Sequence, residues 1–307
     1  MTRVAVLKGG RSAEREVSLN TGAQVASALT SSGYDVVEID AAADDFIGRL
    51  QSSAADVVFI CLHGRFGEDG TMQGLLELLG MPYVGSRVLA SALAMDKVMS
   101  KSIYECSGIP TPDFVCLDRG DAWTVEDLVA RLGEKVVVKP STEGSSIGMT
   151  IVHGADELPG AIDKAFASDD RVLIERFVTG AEVTVGVIGS GADVIALPTL
   201  EIVPEHEFYD YDSKYLPGMS KHIIPARVSD AENAECARLA VESHKTLGCR
   251  HISRTDTIVT GAGEVYVLET NTIPGMTSTS LVPDAARVAG IEFPDLCARL
   301  VEMALAD

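Results

Sequence analysis

A β-hairpin near the C-terminus constrains the fold of this chain more than any other segment. Its two strands are residues 253–259 and 264–271, and the segment Gly261-Ala262-Gly263 joins them as a turn. Side chains two residues apart in a strand lie on the same face, so alternate positions of each strand form one face of the hairpin. The chain therefore contains a pair of antiparallel strands whose polar residues gather on one side.

Four polar side chains are expected to meet on that face. Arg254 and Asp256 share it on the first strand, and Glu269 and Asn271 share it on the second. If the turn is centred on residues 262–263, Asp256 lies opposite Glu269 and Arg254 lies opposite Asn271. Three hard oxygen ligands suit Mg²⁺, and a guanidinium beside them suits a phosphoryl group in transfer. The alternative is a solvated face with alternating charge, which does not require an asparagine at the fourth corner.

Length and charge set limits on the architecture and on the partners. The 307 residues are enough for two or three domains, and 46% hydrophobic with 23% charged residues is typical of a globular protein. The formal net charge of −20 argues against broad nucleic-acid binding, so any anionic ligand must be held by local lysine, arginine and backbone donors.

The six cysteines and the N-terminus indicate the compartment. No two cysteines have C-x-x-C spacing, which argues against a zinc site or a disulfide framework and for a reducing cytosol. Cys249 and His251 are close in sequence, but we expect both to be buried structural residues. The chain enters a strand at residues 3–7 without a signal peptide, and no apolar run has transmembrane length, so we expect a cytoplasmic protein that does not enter the membrane.

The first third of the chain, residues 1–96, predicts a mostly parallel sheet because strand and helix patterns alternate. The predicted strands are residues 3–7, 35–39 and 56–62, with a helix at about 18–31. Ligands of such sheets bind beyond the carboxyl ends of the strands. Glu14 and His63 follow two of these ends and are therefore site candidates.

Two further units follow, and we expect them to pack against the first without flexible linkers. The second, residues 97–179, contains strands around a glycine- and serine-rich loop. The third, residues 180–307, contains the hairpin, a long loop at about 205–222 and a C-terminal helix from about Pro294.

The loop of the second unit, residues 141–148, lies between predicted strands at 135–140 and 149–152. Its residues 144–148 match G-x-S-x-G, but the hydrolase nucleophile elbow needs a helix after the turn, and a strand follows here. Small residues let backbone N–H groups approach oxygens closely, and Lys139 comes just before the loop. The loop therefore predicts a flap over phosphates.

Two other segments have both a functional and a structural interpretation. Residues 173–178 are either an ordinary strand that ends at a turn or a domain hinge whose backbone binds an adenine edge. Residues 206–222 lack periodicity and contain three tyrosines, which is typical of a lid more than of a disordered loop.

No G-K-[ST] sequence occurs, so a Walker P-loop is excluded.

Taken together, these segments resemble the D-alanine–D-alanine ligases of the ATP-grasp superfamily over nearly the full length of the chain. The motifs that carry the resemblance are G-G-R-S-A-E-R-E-V-S-L at residues 9–19, H-G-R-F-G-E-D-G-T-M-Q-G at 63–74, A-M-D-K at 94–97, K-P at 139–140 with G-S-S-I-G at 144–148, F-Y-D-Y-D-S-K-Y at 208–215, and L-E-T-N-T-I-P-G-M-T at 268–277. So many ordered motifs do not match by chance.

The resemblance implies an α/β (α+β) ATP-grasp fold, with an N-terminal parallel-sheet domain at residues 1–96 and two subdomains, 97–179 and 180–307, that clamp ATP. It implies a carbon–nitrogen ligase that joins two D-alanines to D-alanyl-D-alanine through a D-alanyl phosphate, with release of ADP and phosphate, for peptidoglycan precursor synthesis. It also implies two Mg²⁺ ions, with Mn²⁺ as a substitute, allows for a monovalent cation, and leads us to expect a homodimer.

The nucleotide and metal roles follow from the resemblance residue by residue. Asp256, Glu269 and Asn271 would hold the metal ions that bridge the ATP phosphates. The residues implied to contact ATP are Lys97, Lys139, Ser145 and the lid residue Lys214, with Glu175, Arg176, Phe177 and Val178 at adenine and Glu182 at ribose.

The amino-acid roles follow in the same way. The residues implied to bind D-alanine are Glu14 and His63 for the first molecule and Lys214, Ser280 and Leu281 for the second. Arg254 and the Gly275 amide would stabilise the oxyanion of the tetrahedral intermediate. A hydrogen bond between Ser145 and Tyr215 would shut the lid and orient Glu14.

Two alternatives stay open at this point. Tyr215 stands where relatives that form a D-alanine–D-lactate ester usually carry phenylalanine, which favours the dipeptide, but an ester- or D-alanine–D-serine-forming ligase is an alternative. A catalytically inactive nucleotide-binding protein is another. The chain departs from the family pattern at three positions. Relatives commonly have glycine and an aromatic residue at 251–252 and an aliphatic residue at 255, whereas this chain has His251, Ile252 and Thr255. We expect the departure to alter only local packing.

Overall fold

The computed structural model describes residues 1–144, 147–204 and 220–307. These residues form one parallel and two antiparallel β-sheets, with helices packed on their faces. Ser145, Lys214 and Tyr215, for which roles are predicted, lie outside the described residues.

The first sheet is parallel, as the alternating pattern near the N-terminus predicts. Its strands are β1 (Arg3–Lys8), β2 (Asp35–Asp40), β3 (Val57–Ile60) and β4 (Tyr83–Val84), in the order β2-β1-β3-β4. The helices of this region are α1 (Arg15–Ser31), α2 (Phe46–Ser52), α3 (Thr71–Leu78) and α4 (Val88–Met95). In β1, Val4 and Val6 enter one hydrophobic core, whereas Ala5 and Leu7 enter another. The strand is an uninterrupted apolar run because both of its faces are buried.

The second sheet is antiparallel and carries the glycine-rich loop. Its strands are β5 (Phe114–Asp118), β6 (Val136–Pro140), β7 (Thr150–Val152) and β8 (Arg171–Arg176), in the order β5-β8-β6-β7. The helices of this region are α5 (Lys97–Cys106), α6 (Val125–Leu132) and α7 (Leu158–Phe166), the last preceded by a 3₁₀ turn at Ala155–Glu157. Because β6 pairs directly with β7, the loop connects two strands as predicted.

The third sheet is antiparallel and contains the hairpin. Its strands are β9 (Gly180–Gly189), β10 (Ile195–Ala196), β11 (Leu200–Pro204), β12 (Ser220–Ile223), β13 (His251–Thr260) and β14 (Val265–Asn271), in the order β12-β11-β9-β13-β14 with β10 beside β9. Helix α8 (Asp230–Thr246) begins at a capping box of Ser229 and Glu232. Its Cys236 and Leu239 pack with Val267 in one core, which leaves the opposite face of the sheet for polar side chains.

The hairpin forms the predicted pairs. Asp256 pairs with Glu269, and Arg254 pairs with Asn271. Both expectations are therefore confirmed, and the four side chains lie at the same end of the hairpin.

The hairpin reaches these pairs through a β-bulge that the sequence analysis did not anticipate. Near the turn Val259 pairs with Val265, which centres the turn on Ala262 instead of between residues 262 and 263. The register then shifts by one residue, and Leu268 is the extra residue. Leu268 and Glu269 consequently border the same cavity. Without the bulge Leu268 would take the place of Glu269 in its pair.

The end of the predicted lid at about 205–222 is a strand, so this part of the loop prediction was wrong. Residues Ser220–Ile223 form β12, in which His222 pairs with Ile202 of β11. The segment S-K-H-I is too short and polar to show a period-two pattern, and its partner strand determines its conformation. Residues 205–219 lie outside the described part of the chain.

The last two helices attach the C-terminus to the first sheet. They are α9 (Leu281–Val288) and α10 (Phe293–Ala306), the second beginning one residue before the predicted start. Leu296 and Leu300 of α10 pack in one core with Val25 and Leu29 of α1. Among the described residues, no helix is both long and apolar enough to cross a bilayer.

Candidate active site

Two adjoining cavities lie where the three sheets meet. One has a volume of about 510 Å³ and lies between the first and third sheets; we call it the glutamate cavity after Glu14 and Glu68 in its wall. The other has a volume of about 450 Å³ and lies between the second and third sheets; we call it the lysine cavity after Lys139. Lys97, Gly144 and Glu269 border both cavities, so the two share a wall.

The lysine cavity collects the described residues that were predicted to contact a nucleotide. They are Lys97, Lys139, Glu175, Arg176, Phe177, Val178 and Glu182, together with the predicted metal residues Asp256 and Glu269. Val137, Ile151 and Ile258 add apolar surface from the strands on either side. A cavity lined by both apolar and charged side chains suits a ligand that has a flat apolar part and a charged part.

A cluster of three buried charges lies at the floor of the lysine cavity: Glu175 and Lys139 border the cavity, and Lys101 lies behind them. Glu175 is 3% exposed and lies between two lysines: its Oε1 is 2.5 Å from Lys139 Nζ, and its Oε2 is 3.0 Å from Lys101 Nζ. Burial acts to raise the pKa of Glu175, but the charges of the lysines outweigh it and lower the value. For Lys139, burial acts to lower the pKa, but the charges of Glu175 and Glu269 raise it. The cluster therefore holds one negative and two positive groups.

Lys97 is held in the shared wall by the start of helix α5. Its Nζ donates a hydrogen bond of 2.7 Å to the Glu143 carbonyl and lies 3.8 Å from Glu269 Oε2. Asp96 caps the helix by accepting hydrogen bonds from two amides of its first turn, and the Ser141 hydroxyl donates to the same carboxylate. The cap thus ties Lys97 to the glycine-rich loop.

The polar face of the hairpin joins the two cavities. Arg254 donates two hydrogen bonds to Asp256, of 2.9 and 2.7 Å, and Thr184 donates a third of 2.5 Å. Arg254 borders the glutamate cavity, whereas Asp256 borders the lysine cavity. The Asn271 side-chain oxygen accepts from the Ile273 amide at 2.9 Å and keeps a second lone pair.

The glutamate cavity contains a buried carboxyl pair beside a histidine. Glu14, Glu68 and His63 are all less than a tenth exposed. Burial, and then the charge of Glu14, raises the pKa of Glu68 to about 8, although a 2.6 Å hydrogen bond from the Gly64 amide opposes the shift. Burial also lowers the pKa of His63. Near neutral pH the cavity therefore favours a protonated Glu68 and a neutral His63.

Two glycines allow other backbone segments to approach Glu14. A Cβ added at Gly64 would lie 2.7 Å from Glu14 Oε2, and one added at Gly144 would lie 3.1 Å from the same atom. Gly64 also has a φ of +68°, which a residue with a side chain rarely adopts. The glycine-rich loop of the second sheet thus reaches the carboxylate that follows the first strand of the chain.

The start of α9 closes the far side of the glutamate cavity. Ser280 is the cap residue of this helix, and its Oγ lies 2.7 Å from Thr277 Oγ1. A Cβ at Gly275 would lie 3.0 Å from the same Ser280 oxygen. Gly275, Ser280 and Leu281 therefore lie together in one wall of this cavity.

Comparison with known proteins identifies the family. Residues 41–86 match the model described as "D-ala D-ala ligase N-terminus", and residues 103–302 match "D-ala D-ala ligase C-terminus". The chain belongs to the D-alanine–D-alanine ligase family. The ligase of Syntrophobacter fumaroxidans is 50% identical over 99% of this chain and 98% of its own length, and that of Pelotomaculum thermopropionicum is 48% identical over 99% and 96%. The crystal structure of the Bacillus anthracis ligase complexed with ATP has a TM-score of 0.87 at 33% identity and covers 100% of this chain and 98% of its own.

These similarities confirm the predicted α/β ATP-grasp fold of the D-alanine–D-alanine ligases. Of the predicted amino-acid-site residues, the structure brings Glu14, His63, Arg254, Gly275, Ser280 and Leu281 to the glutamate cavity, with Asn271 of the predicted metal set. Ser145, Lys214 and Tyr215 are outside the described residues, so their roles in this ligase remain predictions.

Sequence reasoning missed two residues that border the glutamate cavity, Glu68 and His222, and one lysine behind the lysine cavity, Lys101. Glu68 lies in a motif that was recognised, but its burial beside Glu14 depends on tertiary contacts. His222 borders the glutamate cavity and contacts Asp284 at 2.8 Å, yet it was placed in a loop. Lys101 follows Lys97 by four residues in a helix, and this spacing could have indicated that both lie on one face.

Proposed function

We propose that this protein joins two D-alanines at the expense of ATP, with ATP in the lysine cavity and D-alanine in the glutamate cavity. The shared wall of Lys97, Gly144 and Glu269 carries the proposal, because a phosphoryl group must pass from one substrate to the other without meeting bulk water. ATP-dependent ligation of D-alanine is also the reaction of the family to which the chain belongs.

The phosphates bind at the lysine-rich end of their cavity. Lys97 and Lys139 supply positive charge there, and the backbone of the adjoining glycine-rich loop supplies N–H donors. Residues 175–178 border the same cavity, and their backbone binds the adenine edge. Glu182 lies on β9, the next strand along the chain, and accepts hydrogen bonds from the ribose hydroxyls.

Asp256, Glu269 and Asn271 are the residues that would hold Mg²⁺. Their carboxylate and amide oxygens are ligands that this ion prefers, and two carboxylates are enough when phosphates complete the coordination. The set contains only two acidic side chains, and no group of three or more His, Cys, Asp or Glu placed for a metal occurs in the described part of the chain. When bound, the ion neutralises phosphate charge and aligns the transfer.

The first D-alanine is oriented by its charges. Its ammonium pairs with Glu14, and its carboxylate points to the shared wall. One carboxylate oxygen attacks the γ-phosphorus, so the bond from phosphorus to the bridging oxygen breaks and ADP leaves. The product is an acyl phosphate, which activates a carboxylate that would otherwise resist attack.

The second D-alanine binds at the wall of Ser280 and Leu281. Its amine, after losing a proton, attacks the acyl carbon, and the carbonyl oxygen becomes an oxyanion. Arg254 and the Gly275 amide stabilise that charge, and phosphate then leaves as the carbonyl re-forms.

Three further parts of the proposal rest on the family resemblance. They are that the metal is Mg²⁺, that the protein is a homodimer and that it is located in the cytoplasm.

Product analysis tests the proposal. The purified protein is incubated with ATP, Mg²⁺ and D-alanine, and phosphate release is measured together with dipeptide by mass. We expect one phosphate per D-alanyl-D-alanine and no turnover when D-alanine is omitted. Phosphate without dipeptide, or a preferred ester or D-alanyl-D-serine product when D-lactate or D-serine competes, would contradict the assignment of the second substrate. No phosphate at all would contradict the ligase activity.

A further inference from the structure

One buried lysine beside the lysine cavity has no place in the chemistry proposed above. Lys101 is 0% exposed and does not border either cavity. It lies one helical turn after Lys97 on α5 and points toward the charged floor of the lysine cavity, where its Nζ is 3.0 Å from Glu175 Oε2. A fully buried lysine is costly to a fold unless its charge is compensated.

Three contacts compensate the charge of Lys101. Besides the ion pair with Glu175, its Nζ donates a 2.6 Å hydrogen bond to Thr111 Oγ1 and lies 5.3 Å from the centroid of the Phe114 ring. The Thr111 hydroxyl donates in turn to the Val267 carbonyl at 2.8 Å, so it can only accept from the lysine. Burial lowers the pKa of Lys101, but a carboxylate and an aromatic face both favour its ammonium form.

Glu175 is shared between Lys101 and Lys139, and this sharing has an electrostatic consequence. Glu175 alone would form a neutral pair with Lys139, whose charge would then be cancelled before any phosphate arrived. With Lys101 present, the three groups carry a net charge of about +1 inside a region of low dielectric, where a charge acts strongly. Lys139 borders the cavity and Lys101 does not, so the excess charge is presented to the ligand by Lys139.

We infer that Lys101 is a positioning residue for the nucleotide phosphates: it neutralises Glu175 and thereby leaves the positive charge of Lys139 available to them. The inference rests on the proposed nucleotide site and deepens it. Lys101 itself does not touch the nucleotide, and it acts only through the carboxylate it shares with Lys139.

The test compares binding of a nonhydrolysable ATP analogue and of adenosine, both with Mg²⁺, by calorimetry. Lys101→Met should weaken binding of the analogue about tenfold, because Glu175 then cancels the charge that Lys139 presents to the phosphates, and should leave adenosine binding within about twofold. KM for ATP should rise in parallel, with a smaller change in KM for D-alanine. Lys245→Met, which changes an exposed lysine of α8, is the matched control.

A double variant separates this role from a structural one. Glu175→Gln added to Lys101→Met removes the carboxylate that cancels Lys139, so binding of the ATP analogue should return to within about threefold of wild type. A double variant as weak as the single one, or equal losses for the analogue and adenosine, would overturn the inference. Lys101→Gln, which removes the charge but keeps a polar group for Thr111, provides the same comparison if the methionine variant does not fold.

Binding by the wild-type protein separates failure of the Lys101 inference from failure of the proposed nucleotide site. Wild-type binding of the ATP analogue with no change in Lys101→Met overturns the inference alone. A wild-type protein that binds neither the analogue nor adenosine overturns the proposed nucleotide site and the inference with it.

Discussion

Replacement of Glu68 by glutamine should remove a large pH dependence of stability. Burial raises the pKa of this carboxyl from an ordinary value of 4.5 to about 8 in the folded protein. The folded state therefore binds more protons than the unfolded state between these values, so the contribution of Glu68 to stability falls as pH rises and levels off above pH 8. Across the two pH units from 6 to 8, at about 1.36 kcal/mol each, the free energy of unfolding should fall by about 2.5 kcal/mol through Glu68 alone.

The Glu68→Gln variant keeps the acceptor for the Gly64 amide but cannot ionise. Its free energy of unfolding, measured by denaturant titration at pH 6, 7 and 8 without ligands, should lack this part of the decline. Glu302→Gln, which changes an exposed carboxylate on α10, should decline in parallel with wild type. Parallel decline of wild type and Glu68→Gln would show that Glu68 is already ionised in the fold, and the carboxyl-pair argument would be refuted.

Two further predictions concern the shared wall and the glutamate cavity. Glu269→Gln should lower Mg²⁺-dependent turnover by about a hundredfold, with partial recovery at high Mg²⁺, because the neutral side chain is a weaker metal ligand; unchanged turnover would remove Glu269 from the metal site. Gly64→Ala should lower stability by about 1–2 kcal/mol, because φ is +68° there and the new Cβ meets Glu14, and it should raise KM for the first D-alanine. An equal KM for both proteins would place the ammonium of the first D-alanine elsewhere.

Alternation along the strands was enough to predict the polar face of the hairpin. The pairs of Asp256 with Glu269 and of Arg254 with Asn271 were correct although the assumed turn centre was not. The bulge at Leu268 compensates for the difference, and a bulge depends on how two strands fit together more than on the composition of either one. The register predicted from the turn alone therefore gave the correct pairs, although the prediction did not include the bulge that produces them.

Contacts between distant segments account for what the sequence did not predict. A C-terminal helix was predicted from about Pro294, but a sequence pattern does not tell which surface covers a helix. This helix, α10, packs with α1 from the opposite end of the chain. The burial of Glu68 beside Glu14 and the sharing of Glu175 by Lys101 and Lys139 likewise arise only when separate elements meet. Charged groups in such positions look like ordinary surface residues in the sequence.

Transfer of an oxygen atom tests the proposed reaction across the shared wall most directly. D-Alanine labelled with ¹⁸O in its carboxylate is supplied with unlabelled ATP and Mg²⁺, and the released phosphate is analysed by mass. If the carboxylate attacks the γ-phosphorus and the amine later expels phosphate, each phosphate must carry one ¹⁸O from the first D-alanine. Phosphate without the label would mean that water attacks ATP, and the passage of a phosphoryl group between the two cavities would be contradicted.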